Sequence, residues 1–150
     1  DRKVAFTASE SFVIDRHGDD FRALIEEGQI DILFVNESEL ATLTGEADFE
    51  AGLAMLQDKV PVLVATRSAK GAVSIANGAR AEVAAEPIDK VVDTTGAGDL
   101  FAAGFLTGHA RAETLETCLR MGAICAAEII SHYGARSEAD LKALVAEKLG

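Results

Sequence analysis

Apolar residues in this chain fall into short unbroken runs, separated by stretches in which they return every three or four positions. Residues 3–7 predict a short strand. Phe21, Leu24 and Ile25 at helical spacing predict a helix over 17–27, stopped by Gly28. Residues 30–35 are apolar nearly throughout, as in a strand buried on both faces, and lead through Asn36 into a helix over 37–43. Asp48 is placed to cap a helix carrying Phe49, Leu53, Met55 and Leu56, and residues 60–65 supply another apolar strand that runs into Thr66-Arg67-Ser68-Ala69-Lys70-Gly71. The rhythm changes over 73–83, where two strand-like runs flank Asn77-Gly78, residues that tolerate the positive φ angles of a type I′ turn. Beyond Val91-Val92 the pattern predicts a helix through Leu106, a longer one over 114–131 and a last one after Ser137, with Ser137 and Asp140 spaced as in a capping box.

Strands alternating with helices predict an α/β fold: a mainly parallel sheet covered by helices on both faces, with the antiparallel hairpin at one edge. The length of 150 residues and a hydrophobic content of 49% suit one globular core, and no apolar run is long enough to span a bilayer. A formal charge of −11 and a pI near 4.6 exclude broad electrostatic binding to nucleic acid or to an anionic membrane. Any anionic ligand must therefore be held by local devices. Cys118 and Cys125 lie seven apart in one apolar stretch, which suits two reduced core thiols and a cytoplasmic setting. On that ground the sequon Asn36-Glu37-Ser38 is not expected to be glycosylated. The chain opens on Asp1 rather than Met, without a secretory pattern, and reads as an excised piece.

The chemistry concentrates in Val91-Val92-Asp93-Thr94-Thr95-Gly96-Ala97-Gly98-Asp99, where small residues give way to an apolar helix at what reads as a strand's carboxyl end. Ligands of open α/β sheets bind at such ends. Gly96, Ala97 and Gly98 leave backbone N–H groups uncovered in the first helical turn, where the helix dipole favours an anion. Asp99, in the same turn, is a carboxylate that can accept a proton from an attacking hydroxyl. Donors for an anion beside a base describe phosphoryl transfer. A dinucleotide fingerprint would need a third glycine where Phe101 stands, and the chain has no Gly-Lys-Ser/Thr of a P-loop. Taken alone, a Gly-x-Gly of this kind is more simply a tight strand-to-helix turn.

The stretch Asp93-Thr94-Thr95-Gly96-Ala97-Gly98-Asp99 resembles the C-terminal signature of the ribokinase-like (PfkB) carbohydrate and nucleoside kinases. The resemblance implies that Asp99 is the general base and that the N–H groups from Gly96 through Ala97 and Gly98 to Asp99 stabilise the transferred phosphoryl group. Asn36-Glu37-Ser38-Glu39 resembles the family's Asn-x-x-Glu motif, which implies that Asn36 and Glu39 organise the triphosphate of ATP and its Mg²⁺, Glu39 through bound water. Their plainer reading is a helix cap for Asn36 and a solvated first-turn carboxylate for Glu39. Thr66-Arg67-Ser68-Ala69-Lys70-Gly71 stands where the family has Thr-x-Gly-x-x-Gly along the nucleotide phosphates, with Ser68 replacing the first glycine. Thr66, Ser68 and Gly71 are its candidate contacts, and Arg67 and Lys70 are either added charge or solvated loop cations. Asp93 and Thr95, with Tyr133-Gly134-Ala135-Arg136, resemble the two parts of a monovalent cation (K⁺) site, Asp93 reading equally well as a carboxylate that bonds turn N–H groups, and Ala123 and Ala126 would line an adenine slot. His17, His109 and His132 have no metal-ligand spacing, and Phe101 and Phe105 read as core.

The resemblance runs over essentially the whole chain but matches only the C-terminal half of the family's usual length. It implies an N-terminal half of the same enzyme, carrying the lid, most acceptor contacts and a homodimer surface. Residues 9–17 and the Thr66-Arg67-Ser68 variant look more like bacterial adenosine kinases than ribokinases. Sugar kinases of the ribokinase, fructokinase or 2-keto-3-deoxygluconate kinase type are the alternative. A nucleotide-binding domain without the reaction is the alternative of another class.

Overall fold

The computed structural model describes residues 2–150. In chain order the elements are β1 (Ala5–Thr7), α1 (Ser11–Glu26), β2 (Ile32–Asn36), α2 (Glu37–Thr44), α3 (Phe49–Leu56), β3 (Val62–Thr66), a 3-10 turn (Ser68–Lys70), β4 (Ala72–Ala76), β5 (Ala79–Val83), α4 (Ala97–Ala110), α5 (Leu115–Ile129) and α6 (Leu141–Leu149). The five strands form one sheet in sequence order. β1, β2 and β3 are parallel, and the β4–β5 hairpin lies at the edge, as the alternating pattern predicts. Asn77 and Gly78 make its turn at φ 50° and 76°, the left-handed values that favour this pair.

Packing divides the chain into two compact units, one of residues up to 68 with 73–80, the other of 69–72 with 81–150. In the first, Leu33 and Val35 of β2, Leu63 of β3, Leu40 of α2, Leu53 of α3 and Val73 of β4 share one core, each at most 3% exposed. Burying one such side chain contributes about 1.5–3 kcal/mol. All four apolar residues of β2 from Ile32 to Val35 are buried, as are Val62 to Ala65 of β3, which is why these strands read as continuous apolar runs rather than alternating ones. Asp48 caps α3 through a 2.9 Å bond from the Ala51 N–H. Met55, expected with the apolar face of α3, is instead 47% exposed.

In the second unit α4 and α5 pack at backbone distance. A Cβ on Gly104 would lie 2.6 Å from the Met121 carbonyl oxygen, and one on Gly122 would lie 2.8 Å from that of Phe101. Phe101, Phe105, Cys118 and Cys125 are buried here, and both cysteines are free thiols. Burial pushes both thiols above their ordinary value, with Glu113 adding to the effect at Cys118 and Glu128 at Cys125.

Three expectations need correcting. The first helix begins earlier, at Ser11, and runs across a kink at His17 rather than starting there. Val91-Val92 belongs to no strand: the Val92 N–H bonds at 2.8 Å to the Ile130 carbonyl at the end of α5, so a helix terminus, not a neighbouring strand, takes its donor. Asp140 itself caps α6, accepting from the Lys142 and Ala143 N–H groups, while the Ser137 hydroxyl donates to the Ala139 carbonyl. Ser137 is therefore no capping partner, because the helix begins three residues later than the spacing suggests.

Candidate active site

Two helices in this protein begin with an acidic residue in the same position, and they use it differently. α2 opens on Asn36, whose Oδ1 accepts the Glu39 N–H at 2.8 Å, while Glu39 Oε2 accepts the Asn36 N–H at 2.8 Å. This reciprocal capping box satisfies two donors that a helix start otherwise leaves open. Glu39 is 5% exposed, and burial pushes its carboxyl above the ordinary range, the Asn36 N–H opposing and Glu10 reinforcing the rise. Asn36 and Glu39 are thus brought together as a cap, with one oxygen of each already engaged.

Asn36 also aligns with Thr66 in the register of the parallel strands β2 and β3, so both stand at the carboxyl ends of neighbouring strands. Ser68 follows with φ 50°, a left-handed value that explains why a glycine would be at ease there. Arg67 is not a solvated loop cation. Its guanidinium stacks 4.0 Å over the Phe49 ring and lies 3.4 Å from Glu37 Oε1. Lys70 is exposed. Gly71 has φ 93°, and a Cβ there would sit 2.0 Å from the Val83 carbonyl oxygen, so packing alone demands glycine at this position.

The motif that opens α4 lies in the second unit. Asp93 Oδ1 accepts the Thr95 hydroxyl at 2.6 Å and the Thr95 N–H at 2.9 Å, and Oδ2 accepts the Gly134 N–H at 3.0 Å. These bonds, the Thr95 hydroxyl first, hold the Asp93 carboxyl down to about 2. Asp93 thereby joins the two segments, residues 93–95 and 133–136, that the family resemblance places at one cation site. Gly96 begins α4 at φ 80°, and its missing Cβ leaves room for Ala135, whose Cβ would otherwise lie 3.1 Å away.

Past Gly96 the turn is open. The Ala97 N–H is already bonded to the Thr94 carbonyl at 3.2 Å, which narrows the expected donors. The N–H groups of Gly98 and Asp99 have no partner among the described residues, and a Cβ on Gly98 would meet nothing within 4 Å. Asp99 holds the position relative to Gly96 that Glu39 holds relative to Asn36. Asp99 makes no return bond to the cap and its side chain is exposed, so the carboxylate is available to a ligand. Two outward donors beside a free carboxylate form an arrangement that can take an anion and a proton together. Ala123 and Ala126 lie half-buried on α5.

Glu128 belongs to no motif in the sequence. Its only signal is that it is the single charged residue in 121–130. In the structure its Oε1 accepts the N–H groups of Glu138 and Ala139, both at 2.9 Å. Among the described residues no group of three or more His, Cys, Asp or Glu side chains is arranged to hold a metal ion, and no helix is long and apolar enough to cross a membrane.

The chain is 37% identical over 118 residues to the cytidine kinase of Thermococcus kodakarensis, covering 75% of this chain and 42% of that protein. Among solved structures, a probable sugar kinase from Rhizobium etli superposes with a TM-score of 0.95 at 37% identity, over 98% of this chain and 44% of the other. The adenosine kinase from Sinorhizobium meliloti gives 0.94 at 36% identity, over 99% and 45%. The chain thus spans less than half the length of these relatives. The family description pfkB family carbohydrate kinase matches residues 3–142, and the chain belongs to that family.

Proposed function

We propose that this chain carries the phosphate-binding turn and the catalytic base of a kinase that transfers a phosphoryl group from ATP to a hydroxyl of a nucleoside or sugar, with adenosine favoured. The observation that carries the reading is the first turn of α4, where the free N–H groups of Gly98 and Asp99 adjoin an exposed, uncommitted Asp99 carboxylate. The membership in the pfkB family supports it. The relatives carry both kinds of name, a cytidine kinase and an adenosine kinase beside a probable sugar kinase, so adenosine is favoured on residues 9–17 and the Thr66-Arg67-Ser68 variant, and a sugar is the alternative.

The residues fit a bound phosphate. Nothing stands within 4 Å of the place a Gly98 side chain would occupy, and the dipole of a fourteen-residue helix favours negative charge at this end. ATP, when bound, supplies the phosphoryl group, and its Mg²⁺ neutralises charge on the phosphate oxygens. The Gly98 and Asp99 N–H groups then donate to the group in transfer, where developing charge makes such donors most effective. Asp99 takes the proton of the acceptor hydroxyl as its oxygen attacks. In the first unit, Asn36, Thr66 and Ser68 offer polar groups suited to phosphate oxygens. Glu39, with one oxygen held by Asn36, suits Mg²⁺ through water better than direct ligation. Asp93, Thr95 and the 133–136 turn suit a monovalent cation, which would lie beside the same helix start.

Asp99→Asn in the full-length protein tests the base. Turnover of adenosine with ATP and Mg²⁺ should fall about 10²–10⁴-fold, the range for a lost general base, while ATP affinity stays close to that of the unsubstituted protein. Unchanged turnover would refute the assignment. ATP binding without turnover on any nucleoside or sugar would favour a nucleotide-binding domain instead. The 150-residue chain alone is expected to be inactive, and turnover by it approaching that of intact kinases would overturn that part.

A further inference from the structure

Glu128 stands in the last turn of α5 with its side chain only 10% exposed. A buried carboxylate is costly unless its hydrogen bonds are made, and this one makes several through a single oxygen. Oε1 accepts the Glu138 and Ala139 N–H groups at 2.9 Å each and lies 3.2 Å from His132 Nε2. Oε2 is buried without a partner among the described residues. Burial works to raise this carboxyl, but the Ala139 and Glu138 N–H groups, with the Ser137 and His132 side chains, outweigh it and leave it lowered.

The segment so pinned, residues 132–139, carries the two residues that shape the start of α4. Gly134 donates its N–H to Asp93 Oδ2 at 3.0 Å, and Ala135 packs against Gly96, its Cβ 3.1 Å from where a Cβ on Gly96 would lie. A continuous path of contacts therefore runs from Glu128 through this loop to the turn that presents Gly98 and Asp99. We propose that Glu128 is a positioning residue: the reach of its side chain from α5 holds residues 132–139 so that Gly134 and Ala135 fix the turn over 93–98. It touches neither the base nor the donors and acts through the loop. Its kinetic consequence rests on the phosphoryl-transfer reading above, while its structural consequence does not.

The test compares Glu128→Asp with Glu128→Gln in the full-length protein. Aspartate keeps the charge but shortens the arm by about 1.5 Å, one C–C bond. Glutamine keeps the reach and an acceptor oxygen. Amide hydrogen exchange is read at Gly134 and Thr95, with Leu119 and Ile124 in the buried face of α5 as references. Glu128→Asp should cut protection at Gly134 and Thr95 by on the order of tenfold, as expected for losing hydrogen bonds to a charged acceptor, and leave Leu119 and Ile124 unchanged. Glu128→Gln should restore protection to within about threefold of the original, since its amide oxygen can take both N–H groups. Turnover should follow, with kcat reduced in Glu128→Asp, KM for ATP little changed, and kcat recovered in Glu128→Gln. Equal loss at all four amides, or no loss at Gly134 and Thr95, would overturn the proposal, as would kcat indifferent to the local loosening. Absent turnover in the unsubstituted protein would count against the phosphoryl-transfer reading alone, with the exchange pattern still deciding the anchor.

Discussion

Replacing Gly104 by Ala probes how α4, the helix that carries Asp99, is held. Helix propensity by itself favours the change by about 1 kcal/mol, because alanine loses less backbone freedom than glycine in a helix interior. Packing opposes it. The new Cβ would lie 2.6 Å from the Met121 carbonyl oxygen, 2.8 Å from its carbon and 2.9 Å from the Gly122 Cα, all main-chain atoms of α5. A carbon and a carbonyl oxygen in close but acceptable contact sit about 3.3–3.6 Å apart, so α4 and α5 must separate by roughly 0.7 Å or more. No side-chain rotation relieves the contact. Overpacking of this kind costs about 1–3 kcal/mol, and the rigidity of a backbone neighbour places this site at the upper end. After the propensity gain the net loss is about 2 kcal/mol. For a protein of about 150–250 residues that lowers Tm by about 4–8 °C. Thermal unfolding followed by circular dichroism, with a urea midpoint as a second measure, reads the effect. A Tm equal to or above the original would show that Gly104 does not set the distance between α4 and α5, and the account of this packing would be wrong.

Glu39→Gln separates the cap from any metal-directed role. A carboxyl raised by folding binds protons more tightly in the native state, so its contribution is fully present below 4.5 and declines as pH rises through the higher native value. Glutamine keeps the bond to the Asn36 N–H and removes that decline. Stability above pH 5 should therefore match or exceed the original by urea denaturation, while Mg²⁺-dependent turnover falls; a loss of stability instead would show the charge to be essential to the cap. Asn36→Ala should cost about 1 kcal/mol through the lost bond to the Glu39 N–H, and an unchanged denaturation midpoint would argue against that cap. Asp93 is the opposite case from Glu39. Its lowered carboxyl favours the native state above 3.8 and loses that contribution as pH falls towards about 2, so Asp93→Asn should flatten the acid limb of the stability profile and lower stability at neutral pH. An acid limb identical to the original would mean that the bonds to Thr95 and Gly134 contribute nothing.

Much of the architecture is legible because local chemistry decides it. The unbroken apolar runs that become β2 and β3, the Asp48 cap of α3 and the Asn77-Gly78 turn each follow from a preference acting over a few residues, and each lies where the pattern puts it. The signature 93–99 is legible for the same reason: small residues before a helix mark a turn whose first N–H groups lack partners within the helix, although the Ala97 N–H finds one in the Thr94 carbonyl. Boundaries went astray where a distant partner took over. Val91-Val92 has the composition of a strand, yet its donor goes to the end of α5. Ser137 has the spacing of a cap, yet Asp140 is nearer the helix that forms.

The sequence by itself determined the order of strands and helices, the parallel sheet with its edge hairpin, and which residues open α4. Only the tertiary structure decided that Glu39 is a buried cap while Asp99 stays uncommitted, that Arg67 stacks on Phe49, and that Glu128 pins the loop that reaches Asp93. The physical reason is one of range. Propensity, capping and turn chemistry act between neighbours in the chain, whereas whether a charged group is free or engaged depends on atoms that only folding brings within 3 Å of it, here across 41 residues in the bond from Gly134 to Asp93.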